Sequence, residues 1–417
     1  MLRLLAGAAA RRFGARAAVV TGSTCLTFAD LDRLSDEVAA GLAHRGARMG
    51  DVVALALPDG PEFVICYVAA AKIGAAAAGV GTERLELLAS LDPAVVITVP
   101  RVLPPLAGLD VVTLPVDRGG GQASHDTAHD ASHDAAHDPV HSPAHSPAYD
   151  PARLAGLRRA EPPPPPFPPD PARPVVIAFT AGRTGPAKGV VFGNRQLEAI
   201  RAYGAGDRWG GGGARVVPCP LGRLGFVTRL PVFLQAGRTC HVLPSWSADG
   251  VLRVMRAYGI DVLEGTPYQL GRILAGGGEL PGLALIRSGG APAPAELIRA
   301  LRDRYGVPVC NRYVCTEAGL GVGTRPCDPP EDAEVSVGRP RGGVSVSIRD
   351  GHGHVLPPGE PGEVFLRSAA VMSGYAGDGG ERTVFAKDGF VRTGDRGYID
   401  DTGRLRLVGR LARAAGS

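Results

Sequence analysis

Polar Thr27 precedes a segment in which Leu31, Leu34, Val38 and Leu42 recur at three- and four-residue steps. That spacing predicts an amphipathic helix capped by a threonine. Gly46 and Gly50 close it, and residues 52–57 (VVALAL) form an unbroken apolar run suited to a strand buried on both faces. A second helix is expected from Pro61, and residues 95–99 (VVITV) give another buried strand. Ahead of these, residues 1–29 carry Arg3, Arg11, Arg12 and Arg16 and no acid. Without a small-residue cleavage pattern after an apolar stretch, this predicts a basic amphipathic first helix rather than a transit peptide. Residues 175–179 (VVIAF) and 190–192 (VVF) read as strands flanking a glycine-rich loop, and strands, turns and helices alternate to about Val335. Beyond it, SVSIRD, GEVFLRS and RLRLVGR are short alternating strands between Gly, Pro and Asp turns, which predicts a small barrel-like β unit. The fold class expected from this alternation is α/β.

The length of 417 residues suggests two or three packed units, and 45% hydrophobic residues suffice for a sizeable core. No apolar run is long enough to span a membrane, because Lys72, Arg84 and similar charges interrupt each one. A net charge of +4, spread along the chain, and 5% aromatics give no basis for nucleic-acid binding. The seven cysteines contain no C-x-x-C pair and are expected to be reduced, mostly buried thiols of a cytoplasmic protein.

One region breaks this texture. From Ser124 to Asp150 a four-residue unit places His125, His129, His133, His137, His141 and His145 in step. On a helix they would form a metal-chelating stripe, but Pro139, Pro143 and Pro147 would break that helix through its second half. The expectation is a disordered low-complexity insertion. The segment EPPPPPFPPDPARP, residues 161–174, then reads as an extended polyproline tether. The expected organisation is a first α/β subdomain over 1–116, this disordered linker over 117–174, a second α/β subdomain over 175–335, the β unit over 336–410 and a truncated hinge over 411–417.

The chemistry concentrates after residue 179. Thr180, Gly182, Arg183, Thr184, Gly185 and Lys188 lie in one short loop whose backbone N–H groups can face an anion, with Lys188 as a point charge for phosphate oxygens. It is not a P-loop, since Lys188 is followed by Gly189 and then by a strand. The stretch FTAGRTGPAKGV resembles the phosphate loop of the adenylate-forming superfamily, which includes acyl-CoA synthetases, aryl-CoA ligases, luciferases and the adenylation domains of peptide synthetases. Four further stretches match in the same order. They are Ser288-Gly289-Gly290-Ala291-Pro292, Tyr313-Val314-Cys315-Thr316-Glu317, the run from Gly359 to Arg367 with Gly374-Tyr375, and Thr393-Gly394-Asp395 with Gly409-Arg410.

The resemblance implies the large N-terminal domain of the adenylate-forming fold: two packed α/β subdomains and a small distorted β-barrel, with the C-terminal lid domain absent. It implies that ATP and a carboxylic acid combine into an acyl-AMP. Thr180, Gly182, Arg183, Thr184, Gly185 and Lys188 would hold phosphates, Gly289, Gly290, Ala291 and Pro292 would line the adenine, and the Tyr313 ring would stack on it. Thr316 would bond the α-phosphate, Glu317 would ligate Mg²⁺, and Asp395 and Arg410 would bind the ribose. Lys188, Thr316 and Glu317 would form the catalytic set. The acceptor would be CoA or the phosphopantetheine thiol of a carrier protein, with a separate lid domain as a further partner.

Departures sharpen the expectation. Ala181 and Arg183 stand where the family has hydroxyl residues, and Pro186-Ala187 reverses the usual order. Arg312 and Val314 replace glycines beside Tyr313, narrowing that wall. Residues 218–226 (PCPLGRLGF) lack the aromatic-His pair often found beside the acyl pocket. No F-D-x-S element is visible, which favours an acyl or aryl acid over an α-amino acid. The pocket walls are expected around Gly204, Gly265-Thr266 and Ser288. The family's transition-state lysine lies on the lid, so slow catalysis by this chain alone is expected. A non-catalytic nucleotide- or acyl-adenylate-binding partner protein is the other reading these departures allow.

Overall fold

The computed structural model describes residues 1–100, 102, 109–115, 147–182, 186–377 and 384–411. The expected helix is Phe28–His44, and the Thr27 hydroxyl caps it by accepting the Asp30 N–H at 3.0 Å. Leu31, Leu34, Val38 and Leu42 are all buried. The helix packs beside Leu2–Phe13 and Pro61–Lys72, and Arg3 of the first donates to the Lys72 carbonyl at 3.3 Å. Lys72, 1% exposed, donates to the Asp32 carboxylate at 2.7 Å and lies 2.9 Å from that of Asp36. Two carboxylates around one ammonium compensate its lost hydration. Among the described residues no helix is long and apolar enough to cross a membrane.

Four sheets organise the described residues. The largest has seven strands in the order Gly374–Tyr375, Gly189–Gly193, Pro174–Phe179, Ala76–Gly79, Val52–Ala56, Val95–Thr98 and Val111–Thr113. Its centre is parallel and apolar on both faces, one against the Pro61–Lys72 helix and the other against the 3₁₀ turn Leu85–Ser90. Gly189–Gly193 pairs antiparallel with Pro174–Phe179, closing a hairpin around the glycine-rich loop. A second sheet runs Thr24–Thr27, Ala17–Thr21, Thr239–Val242, Ala214–Val216. A third, of Val262–Gly265, Leu285–Gly289, Val309–Tyr313 and Val322–Gly323, is parallel except at its last strand. The fourth is antiparallel, with the order Ser345–Arg349, Gly362–Arg367, Val391–Ile399, Leu405–Arg410, and supplies the β unit expected after residue 336.

The strands do not divide at residue 174. Residues 174–193 complete the sheet begun by residues 52–113, and Ala17–Thr21 pairs with Thr239–Val242. One apolar core draws on both segments, from Leu2 to Val242. The first 116 residues therefore do not form a unit of their own, because an edge strand left unpaired would expose its backbone groups.

The linker expectation also changes. The histidines at 125–145 lie outside the described residues, but from residue 147 the chain is packed rather than disordered. Tyr149, Leu154 and Leu157 are buried in the main core. Arg158 pairs with Glu37, Arg153 lies 3.1 Å from Glu62, and Arg3 donates to the Pro164 carbonyl at 2.7 Å. Apolar anchors and side-chain bonds to the helices hold what composition alone describes as a tether. Gly41 permits this contact, since a Cβ built there would lie 1.6 Å from the Leu157 carbonyl oxygen. Gly41→Ala should therefore cost about 1–3 kcal/mol by overpacking, read as a lower urea midpoint. An unchanged midpoint would show that residues 154–158 are not seated there.

All seven cysteines are free thiols, with Cys25, Cys66, Cys240 and Cys310 buried, Cys219 and Cys315 half-buried and Cys327 exposed. Burial raises the thiols of Cys219 and Cys240 to about 12, so both stay protonated at neutral pH.

Candidate active site

The glycine-rich loop closes through two bonds at its base. The Lys188 N–H donates to the Thr180 hydroxyl at 2.9 Å, and the Thr180 N–H donates to the Lys188 carbonyl at 3.0 Å. Gly182 has φ +70°, a turn that a side chain would strain. Arg84 donates to the Thr180 carbonyl at 3.3 Å, a neighbour that no motif predicts. Arg183, Thr184 and Gly185 lie outside the described residues.

From the loop a chain of contacts runs to the acid. The Lys188 ammonium sits 5.0 Å from the centre of the Tyr375 ring. The Tyr375 hydroxyl donates to the Glu317 carboxylate at 3.0 Å. Tyr375 stands here because Gly374–Tyr375 pairs antiparallel with Gly189–Gly193, the strand that follows Lys188. Glu317 lies on a short 3₁₀ turn, Thr316–Ala318, and the Met372 N–H donates to its carbonyl at 2.9 Å. The G-Y dipeptide was legible as a motif, but its link between lysine and glutamate emerges only from the strand pairing.

The same turn packs against strand Val391–Ile399, which carries the second group. The Tyr313 hydroxyl donates to Asp395 Oδ2 at 2.7 Å, and Arg410 Nε lies 2.9 Å from Asp395 Oδ1. Asp395 and Arg410 are register partners on adjacent strands. The Thr393 hydroxyl accepts the Asp395 N–H at 3.1 Å and donates to the Val364 carbonyl at 2.8 Å, fixing the turn. Burial, then the nearby Cys315 and Asp395, push the Tyr313 phenol upward, so it remains a donor. Burial, with Glu317 beside it, raises the Cys315 thiol well above its ordinary value. It is an inert neighbour rather than a nucleophile.

Gly289, Gly290, Ala291 and Pro292 follow the adjacent strand, and Gly289 is in register with Arg312, next to Tyr313. Gly290 has φ +80°, and a Cβ at Gly289 would stand 3.3 Å from the Arg312 carbonyl oxygen. The structure thus gathers Lys188, Tyr313, Thr316, Glu317, Asp395, Arg410 and the 289–292 turn around one region. Of the expected pocket walls, Gly265 and Ser288 are in register. Gly204 instead packs against Val232, between helices.

The residues suit a magnesium nucleotide. Glu317 is a hard oxygen donor already oriented by Tyr375, and Mg²⁺ takes one or two such carboxylates with phosphate oxygens. Asp395 can accept from hydroxyl donors, as Tyr313 demonstrates.

The chain is 26% identical to 4-coumarate–CoA ligase 5 of Oryza sativa subsp. japonica, over 95% of this chain and 73% of that protein. It is 31% identical to sulfoacetate–CoA ligase of Cupriavidus necator, over 58% of this chain, and that match spans about half the relative's length, 48%. The crystal structure of the N-terminal domain of FACL13 from Mycobacterium tuberculosis superposes with a TM-score of 0.78 at 23% identity. It covers 98% of this chain and 99% of that one, a likeness of fold. The family described as AMP-binding enzyme matches residues 7–376, and the chain belongs to it.

Proposed function

We propose that this chain uses Mg·ATP to activate a carboxylic acid, acyl or aryl, as its acyl-adenylate. The observation that carries the reading is the continuous path Lys188–Tyr375–Glu317 beside Tyr313–Asp395–Arg410, which suits a triphosphate at one end and a sugar at the other. Asp395 and Arg410 bind the ribose hydroxyls, and the Tyr313 ring and the 289–292 turn hold the adenine. Lys188 and the loop N–H groups steady the β- and γ-phosphates, with Thr316 at the α-phosphate. Glu317 holds Mg²⁺, which supplies charge neutralisation on the phosphates when bound. A carboxylate oxygen of the acid attacks the α-phosphorus, and its bond to the bridging oxygen breaks as pyrophosphate leaves. These groups lower the cost of charge on the leaving pyrophosphate by preorganised electrostatics.

The relatives named above are CoA ligases, which supports a thiol of CoA or of a carrier protein as the acceptor. The sequence has three lysines. Lys72 is enclosed by Asp32 and Asp36, and Lys387 is exposed on a turn, leaving Lys188 at the site. Without a second lysine to bridge carboxylate and α-phosphate, adenylation by these residues alone should be slow, and a lid domain in trans should accelerate it. Titration calorimetry with Mg·ATP, followed by acid-dependent pyrophosphate release, tests the proposal. We expect saturable ATP binding and turnover well below ~1 s⁻¹. Absence of ATP binding would overturn the reading. Binding with no pyrophosphate release, even with an added lid, would favour a non-catalytic adenylate-binding partner.

A further inference from the structure

The strands that end at the nucleotide residues carry charge where an acyl chain would meet apolar walls. In Val262–Gly265, Leu285–Gly289 and Val309–Tyr313, residues Leu263, Ile286 and Val309 face the helices. Val262, Leu285 and Cys310 form a small apolar cluster on the other face. Strand alternation puts Glu264, Arg287 and Arg312 on that second face, nearer the strand ends from which Ser288–Pro292 and Tyr313–Glu317 emerge. Glu264 and Arg287 are register partners and are hydrogen-bonded.

More arginines join them. Arg287, Arg229 and Arg215 all act on the Glu264 carboxyl, which burial would raise and which these cations hold below its ordinary value. Arg238 feels Arg215, Glu264 and Arg287. Burial first, and then Arg341 and Arg287, lower Arg312 to about 10, and its guanidinium stays charged at neutral pH. Four arginines, at 215, 229, 238 and 287, therefore share Glu264, with Arg312 beside Arg287, and among the described residues only Arg215 has a second carboxylate, Asp261 at 2.9 Å. Arg312 spends its guanidinium on the Asn311 and Thr324 carbonyls. The buried Nε atoms of Arg215 and Arg287 meet no hydrogen-bond partner among the described residues. The cluster holds more positive charge and more donors than its own carboxylates satisfy, and the Arg287 side chain is 29% exposed, so solvent reaches it.

We propose that the acid activated here carries a second anionic group, a carboxylate or a sulfonate, which docks on Arg287 and the arginines around Glu264 while the reacting carboxylate lies near Thr316. This rests on the acid-activating reading above. Arg287 is the register partner of Cys310, on the strand that leads through Tyr313 to Thr316, so the spacer between the two anionic groups runs along that strand end. Glu264 acts as an internal placeholder for that group: it neutralises Arg287 in the empty site and competes with the substrate.

The test uses the full 417-residue chain with Mg²⁺ and α,β-methylene-ATP, titrated with matched pairs: succinate against butanoate, glutarate against pentanoate, phthalate against benzoate. At least one dianion should bind 10-fold or more tightly than its monoacid, with the advantage shrinking as salt rises. Arg287→Gln should abolish that advantage. Glu264→Gln should raise dianion affinity several-fold relative to monoacid affinity, which a purely bracing Glu264 would not do. Should either single variant fail to fold, the paired E264Q/R287Q chain keeps the face balanced and should bind both members of each pair alike. Equal affinities within every pair for the unaltered chain, or tighter binding of the monoacids, would overturn the inference while leaving the nucleotide site intact. Failure of the ATP analogue to bind would overturn the acid-activating reading, and this inference with it.

Discussion

Replacing Asp395 with alanine should weaken Mg·ATP binding by about 100-fold. The carboxylate accepts from Tyr313 at 2.7 Å and lies 2.9 Å from Arg410, so both of its oxygens are oriented before any ligand arrives. A hydrogen bond to a charged group contributes ~1.5–3 kcal/mol, and 1.4 kcal/mol is tenfold. In the proposed ribose site, two hydroxyls losing this acceptor would account for two orders of magnitude or more. The change also leaves the Tyr313 hydroxyl and Arg410 without their partner, so thermal unfolding must be measured alongside. Tyr313→Phe separates the contributions, because it keeps the ring and removes only the bond to Asp395. Its ATP affinity should fall far less than that of Asp395→Ala. Affinity of Asp395→Ala within threefold of the parent chain would remove the ribose from this position.

Glu317→Gln should lower acid-dependent pyrophosphate release by about 10²–10³. Glutamine retains the shape and can still accept from Tyr375, but it loses the charge that suits it to a divalent ion. The signature lies in the magnesium titration, whose midpoint should move to much higher concentration. Metal-free ATP binding should change little, since the residues proposed for adenine and ribose are others. A midpoint that does not move would assign Glu317 to bracing Tyr375 and nothing more. The two variants together distinguish a loss of nucleotide affinity from a loss of metal-assisted chemistry.

Much of this architecture was legible in the chain because local signals repeat within a few residues. Thr27 with Leu31, Leu34, Val38 and Leu42 announces one helix, and the apolar run after Asp51 announces one strand. What stayed hidden was long-range. The Thr239 hydroxyl donates to the Ala17 carbonyl across 222 positions, and no local pattern encodes that partnership. Residues 147–158 look like linker because single anchors, Tyr149, Leu154 and Leu157, stand among prolines and charges and show no periodicity.

The candidate site divides the same way. Loop residues such as Lys188, Thr316 and Asp395 stand out because glycines and small polar residues surround them. Tyr375 becomes informative only through its pairing with the strand after Lys188. Glu264 and Arg287 each read as one charge inside an ordinary strand. Their significance arises when parallel register sets them side by side.

The enclosure of Lys72 has a practical corollary for chemical labelling. With that amine sealed by two aspartates, reagents that acylate or alkylate primary amines have few addresses on this molecule. The α-amine of Met1 is itself partly buried and donates to Asn194, and Lys387 sits on a turn far along the chain from the loop. That leaves Lys188, on the loop proposed to hold phosphate, and the exposed Lys387, on a separate segment, as the lysine targets. Shielding of Lys188 by a bound nucleotide can be followed as mass gained or withheld on one peptide.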